Sequence, residues 1–196
     1  MKKQIWIFTF GLLLGSLAGA QGTIRGSQDR NQFFLTFGFW NWTERMTLTQ
    51  GVVQSTDWAN FQANSFGAGY RGVYQNWGYD LEALALAGKA VGGGNSNEIT
   101  YKQSNFNFDG YGGKAAIYYR TERFIELGVS LPVIFRNVQW DTINPNLKVR
   151  SGSNPLITMM ATWRLRPTKN FLIEQGFGPA GVPSQTIWNF QASLLF

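Results

Sequence analysis

Apolar side chains recur at every second position in eight separate stretches of this chain, and a period of two is the signature of strands with two unlike faces. The clearest stretch is about 124–135. Ile125, Leu127, Val129, Leu131 and Val133 share one face there, and Glu126, Gly128 and Ser130 share the other. In about 31–42, Phe33, Leu35, Phe37 and Phe39 oppose Phe34, Thr36, Gly38 and Trp40. Similar alternation marks about 60–74, 78–90, 106–120, 155–166, 171–177 and 186–196. An even number of such segments predicts strands that run up and down and pair antiparallel with their chain neighbours.

The connections alternate in length. Asn76-Trp77-Gly78, Thr121-Glu122-Arg123 and Pro167-Thr168-Lys169-Asn170 read as short turns. The stretches near 43–59, 91–105, 136–154 and 178–185 are longer, rich in Gly, Asn, Ser, Thr and Gln, and read as loops. Short turns at one end and long loops at the other predict an all-β fold, an eight-stranded antiparallel up-and-down transmembrane β-barrel. Pro132 lacks a backbone donor and is expected at a rim or bulge.

Alternation alone does not say which face meets lipid. The apolar faces are almost free of charge, and charged residues make up only 14% of the chain. Aromatic residues gather near predicted strand ends: Trp40 and Trp42, Trp77 and Tyr79, Tyr118 and Tyr119, Trp163 and Phe171, Trp188, and Phe196. Trp and Tyr favour the membrane interface because their rings are apolar and carry a polar atom. The apolar faces are therefore expected outside and the polar faces inside.

The N-terminus carries an address. Lys2 and Lys3 precede an apolar core from Ile5 to Leu14, and Ala18-Gly19-Ala20 is a small-x-small cleavage site. That pattern predicts a signal peptide over 1–20, cleaved after Ala20. The core is too short to span a bilayer, which takes about 20 residues. Residues 21–32 are polar and aperiodic and read as a flexible arm, leaving 33–196 as the barrel.

The last strand alternates Trp188, Phe190, Ala192, Leu194 and Phe196 with polar residues and ends on an aromatic ring. It resembles the C-terminal β-signal of bacterial outer-membrane proteins. With the export signal and eight alternating segments, the chain resembles the small outer-membrane barrels of the OmpA, OmpX and OmpW kind. That resemblance implies residence in the outer membrane, contact with its lipid and lipopolysaccharide, delivery by the barrel assembly machinery, and a monomer. A side opening near Pro132 is a further implication of the OmpW-like comparison.

If the polar faces point inward, the lumen holds Arg71, Asp80, Glu82, Lys114, Glu126, Arg164 and Glu174. Signs alternate between neighbouring strands, so Arg71 is expected to face Glu82 or Asp80, Lys114 to face Glu126, and Arg164 to face Glu126 or Glu174. Buried charges need such partners. The network reads either as a structural plug or as a polar pathway.

The chain has no Cys and no His. Thiolate metal sites and disulfides are excluded, and the commonest general base is missing. Enzymes among outer-membrane barrels, such as the lipid A palmitoyltransferase and omptin families, rely on a catalytic His. No cofactor is expected. The basic excess is spread along the chain, without the clustered run that nucleic-acid binding needs. The expected function is non-enzymatic, a structural or surface-interaction role through the loops, with a small channel for ions or apolar solutes as the alternative.

Overall fold

The computed structural model describes residues 31–92, 108–121, 124–138, 146–151, 154–180 and 182–196. The expected signal peptide at 1–20 lies outside these residues, as does the arm at 21–32 apart from Asn31 and Gln32. The strands are β1 (Gln32–Gln50), β2 (Val53–Tyr74), β3 (Trp77–Gly92), β4 (Phe108–Arg120), β5 (Ile125–Val138), β6 (Leu147–Ser151), β7 (Leu156–Ile157), β8 (Met160–Thr168), β9 (Phe171–Ala180) and β10 (Val182–Leu195).

Each pairing between them is antiparallel. β5 takes both β7 and β8 along one edge, so these two are pieces of a single stave. β1 takes β2 on one edge and β10 on the other, from Phe34↔Leu195 to Trp42↔Ile187. This last ladder closes eight staves into a ring and leaves no open edge around it.

Exposure follows the parity of each strand. On β5, Leu127, Val129, Leu131 and Phe135 point outward while Glu126, Ser130, Ile134 and Arg136 are buried inside. Around the ring the outer band is built from residues such as Phe37, Leu81, Ile117, Met159, Phe177 and Phe190, all exposed. Tyr74, Trp77, Tyr79 and Tyr119 cluster outside at the end of the short turns. An apolar exterior over a polar interior is the inversion that lipid demands.

Several expected loops are strands instead. The segment 43–59 continues β1 and β2 in unbroken register, from Thr43↔Asn60 to Gln50↔Val53, and turns on Gly51-Val52 alone. Gly51 takes a φ of 61°, which a Cβ would strain. The period of two never stopped there: Glu44, Met46 and Leu48 stay on the inner face. Thr47, Thr49 and Thr56 are polar but β-branched, and they suit a pleated surface. The stretch 178–185 is likewise strand on both sides, with the register shifting between Val182 and Thr186. Part of 136–154 forms β6, which lies beside the β1 extension from Met46↔Ser151 to Gln50↔Leu147.

Two smaller expectations also change. The first short turn is Gln75-Asn76, one step earlier than Asn76-Trp77-Gly78, because Tyr74 already pairs with Trp77. Pro132 sits inside β5, opposite Lys114, and is not at a rim. Its carbonyl accepts from the Thr158 amide at 3.4 Å, but it has no N–H to return. The ladder lapses there, which is why β7 and β8 are separate.

Candidate functional site

The interior has two layers. Towards the turn end lie the seven charges singled out above, each buried. Register alone makes some of them neighbours: Arg71 opposes Asp80, Glu82 opposes Lys114, and Arg164 lies between Glu126 and Glu174. Several of the short contacts cross the lumen. Arg71 reaches Glu126 at 2.5 Å, Lys114 reaches Glu174 at 2.7 Å, and Arg164 reaches Asp80 at 2.6 Å. Lys114 also holds Glu82 at 2.9 Å, and Arg164 also holds Glu174 at 2.6 Å. Arg71 and Asp80 stand 3.9 Å apart although they face each other on adjacent strands. The expected Lys114–Glu126 pair is replaced by Lys114 with Glu82 and Glu174. Adjacent strands set the charges side by side, but a narrow barrel lets long side chains meet head-on across its axis.

Glu174 is the hub. Its Oε1 accepts from Lys114, and its Oε2 accepts from Arg164 at 2.6 and 2.8 Å and from the Tyr118 hydroxyl at 2.9 Å. The Arg164 guanidinium also stacks 3.3 Å from the Tyr118 ring centre. Gln191 ties the layer to β10, accepting from Lys114 and from Asn189 and donating to Glu82 at 3.2 Å.

Sequence reasoning missed Arg120, a further inner base that bonds Glu126 at 3.4 Å. Its parity with Lys114 and Tyr118 was the available signal. Tyr118 itself is buried in the lumen and does not belong to the outer aromatic set; Trp40 and Trp42 are also inside. Each has a partner there. Trp40 donates to Ser65 at 3.1 Å and Trp42 to Glu44 at 2.7 Å.

Towards the open end the lumen is apolar. Trp42, Phe61 and Phe108 pack ring on ring, with Trp42 and Phe61 stacked at 5.0 Å. Met46, Leu48, Leu84, Leu86, Ile134, Leu147, Leu156, Met160 and Ile187 complete this cluster. One ion pair is set within it: Arg136 bonds Glu44 and lies over the Phe61 ring, 5.2 Å from its centre. Neither residue was foreseen, because both fall in stretches read as loops. Polar alternation would have predicted a polar lumen throughout.

The final strand presents Trp188, Phe190, Leu194 and Phe196 outward, with Ala192 half-buried among them. The Phe196 amide donates to the Phe33 carbonyl at 2.9 Å. Among the described residues, no three of Asp, Glu, Cys or His gather closely enough to hold a metal ion. The inner carboxylates are spent on bases, and inner hydroxyls such as Thr36 and Ser193 bond each other.

No family model matches the chain, and no curated protein matches it. Among solved structures it is similar to Ail, the attachment invasion locus protein of Yersinia pestis. That match has 12% identity, 86% of this chain covered, all of the other, and a TM-score of 0.49. The same protein in a phospholipid bilayer nanodisc matches at 15% identity over 85% of this chain and all of the other, with a TM-score of 0.45. Neisserial surface protein A matches at 12% identity over 85% of this chain and 98% of the other, with a TM-score of 0.41.

Proposed function

We propose that this protein is a non-conducting, non-enzymatic barrel of the bacterial outer membrane that displays the long β1–β2 hairpin and β6 at the cell surface. One observation carries the reading: the lumen is packed from side to side by an ion-paired layer and an apolar layer. A water-filled pore keeps its lining accessible, whereas here the inner charges and the Trp42 cluster are buried. The apolar outer band and the turn-end aromatic girdle support lipid insertion. The signal peptide with cleavage after Ala20, and the outward row Trp188 to Phe196, support export and recognition by the barrel assembly machinery. Ring closure within one chain supports a monomer. Lipopolysaccharide and outer-membrane lipid are then the immediate partners, with no cofactor.

The test is conductance of the refolded mature protein in a planar bilayer, after a heat-dependent gel shift has shown folding. A folded, silent barrel is the expected result. Stable steps that change with Glu126→Ala or Arg164→Ala would establish the channel reading instead.

A further inference from the structure

The outer face of β1 changes character along its length. Phe33, Leu35, Phe37 and Phe39 give way to Asn41 and Thr43, and then to Arg45. Arg45 lies four residues past Asn41, about 13 Å along a strand and about 9 Å along the membrane normal at a tilt of about 45°. That is the outer edge of the polar headgroup layer, which is about 5–7 Å deep on each side of the hydrocarbon, so only a headgroup that rises beyond this layer reaches the row. Register places two more cations on the same face. Arg150 opposes Thr47 and Lys148 opposes Thr49, and both are exposed. Diagonal neighbours on a sheet face are about 7–8 Å apart, so Arg45, Arg150 and Lys148 form a continuous rising row. Trp58 stands opposite Arg45 and is 45% exposed. Of the described acids of the hairpin, Glu44 is buried inside and Asp57 shares its parity, while Arg45 itself donates to the Thr56 hydroxyl at 3.5 Å.

We infer that Arg45, Arg150 and Lys148, with Trp58 at their foot, form a docking face for the phosphorylated headgroup of a glycolipid in the surrounding leaflet. Charge complementarity and position select this occupant. The row continues the lipid-facing surface sideways and does not point up into solvent, so what meets it is anchored in the same membrane. It steps outward over three positions, and a sugar headgroup carrying phosphates is tall enough to meet them all. An indole at the base of the row fits the boundary between acyl chain and headgroup. The inference rests on the membrane-inserted reading above.

The experiment measures binding of diphosphoryl lipid A to the folded protein in neutral detergent micelles, for wild type and for the triple variant Arg45→Gln, Lys148→Gln, Arg150→Gln. Each cation near an anionic lipid surface contributes about fivefold, so the variant should bind about 100-fold more weakly. Lys169→Gln, at the far turn, should bind like wild type. Dephosphorylated lipid A should bind both proteins equally weakly, and free inorganic phosphate at the same concentration should not compete. Equal affinity of wild type and triple variant would overturn the docking face, as would equal affinity for the dephosphorylated lipid. Effective competition by free phosphate would show an anion site that is not a lipid site. A wild type without a heat-dependent gel shift would fail at the level of membrane insertion, a result separate from either of these. None of the three cations belongs to the buried charges of the interior, so the triple variant should fold; its gel shift checks that it has.

Discussion

A buried carboxylate is only as stable as the bases around it. Glu174 holds Lys114, Arg164 and Tyr118 all within 2.9 Å, whereas Glu126 holds Arg71 at 2.5 Å but the partly exposed Arg120 at 3.4 Å and Arg164 at 3.9 Å. Removing one partner of a buried pair costs about 3–5 kcal/mol, because the remaining charge stays out of water. Glu174→Ala should therefore destabilise the folded barrel by about 3 kcal/mol or more, and Glu126→Ala by less. Urea unfolding in lipid vesicles ranks the two, and equal or reversed losses would refute the hub. Gly67 gives a second check. A Cβ there would lie 2.6 Å from Glu82 Oε1 and 2.8 Å from the Ala83 carbonyl, so Gly67→Ala should destabilise by about 1–3 kcal/mol in the same assay. Glu44, Arg120 and Arg136 were missed, but seven inner charges were legible from parity, since a strand sends every second residue to one side. Their partners were not, because the longest side chains ignore ladder order and meet across the axis.

At the scale of elements, the hairpin β1–β2 was the main misreading. Its two-residue turn depends on Gly51, so Gly51→Ala should cost about 1 kcal/mol and raise amide exchange over residues 47–56, leaving the ring intact. Polar composition hid these strands. Above a bilayer, both faces of a strand can be polar and still pair. The eight staves of the ring were legible because their outer and inner faces differ and keep the alternation strict there. Pro132 makes the converse point. Supplying the missing donor with Pro132→Ala should let residue 132 bond back to Thr158 and join β7 to β8. Slower amide exchange at Thr158 and Met159 is the expected reading, and unchanged exchange would mean that another feature breaks the stave.

For the molecule as a whole, the two interior layers divide the work. The ion-paired layer fills the turn end and the ring stack of Trp42, Phe61 and Phe108 fills the open end. Trp42→Ala removes the largest ring of a trio in which each ring touches the other two, and it deprives Glu44 of a donor, so a loss of about 3–5 kcal/mol is expected from thermal or urea unfolding. The charge layer should still block current in that variant. The fold class was readable from the period of the sequence; the apolar half of the lumen was not, because inner apolar residues look the same as outer ones until the register is known.

The closing ladder between β1 and β10 has a consequence in time. It joins residues as distant as Phe34 and Leu195, near the two ends of the barrel sequence. No shorter arc of staves satisfies its own edges, so the ring has no stable partial form. Contacts of such long range are made late and slowly. Chains short of closure thus carry two unpaired margins facing away from each other until the last stave arrives.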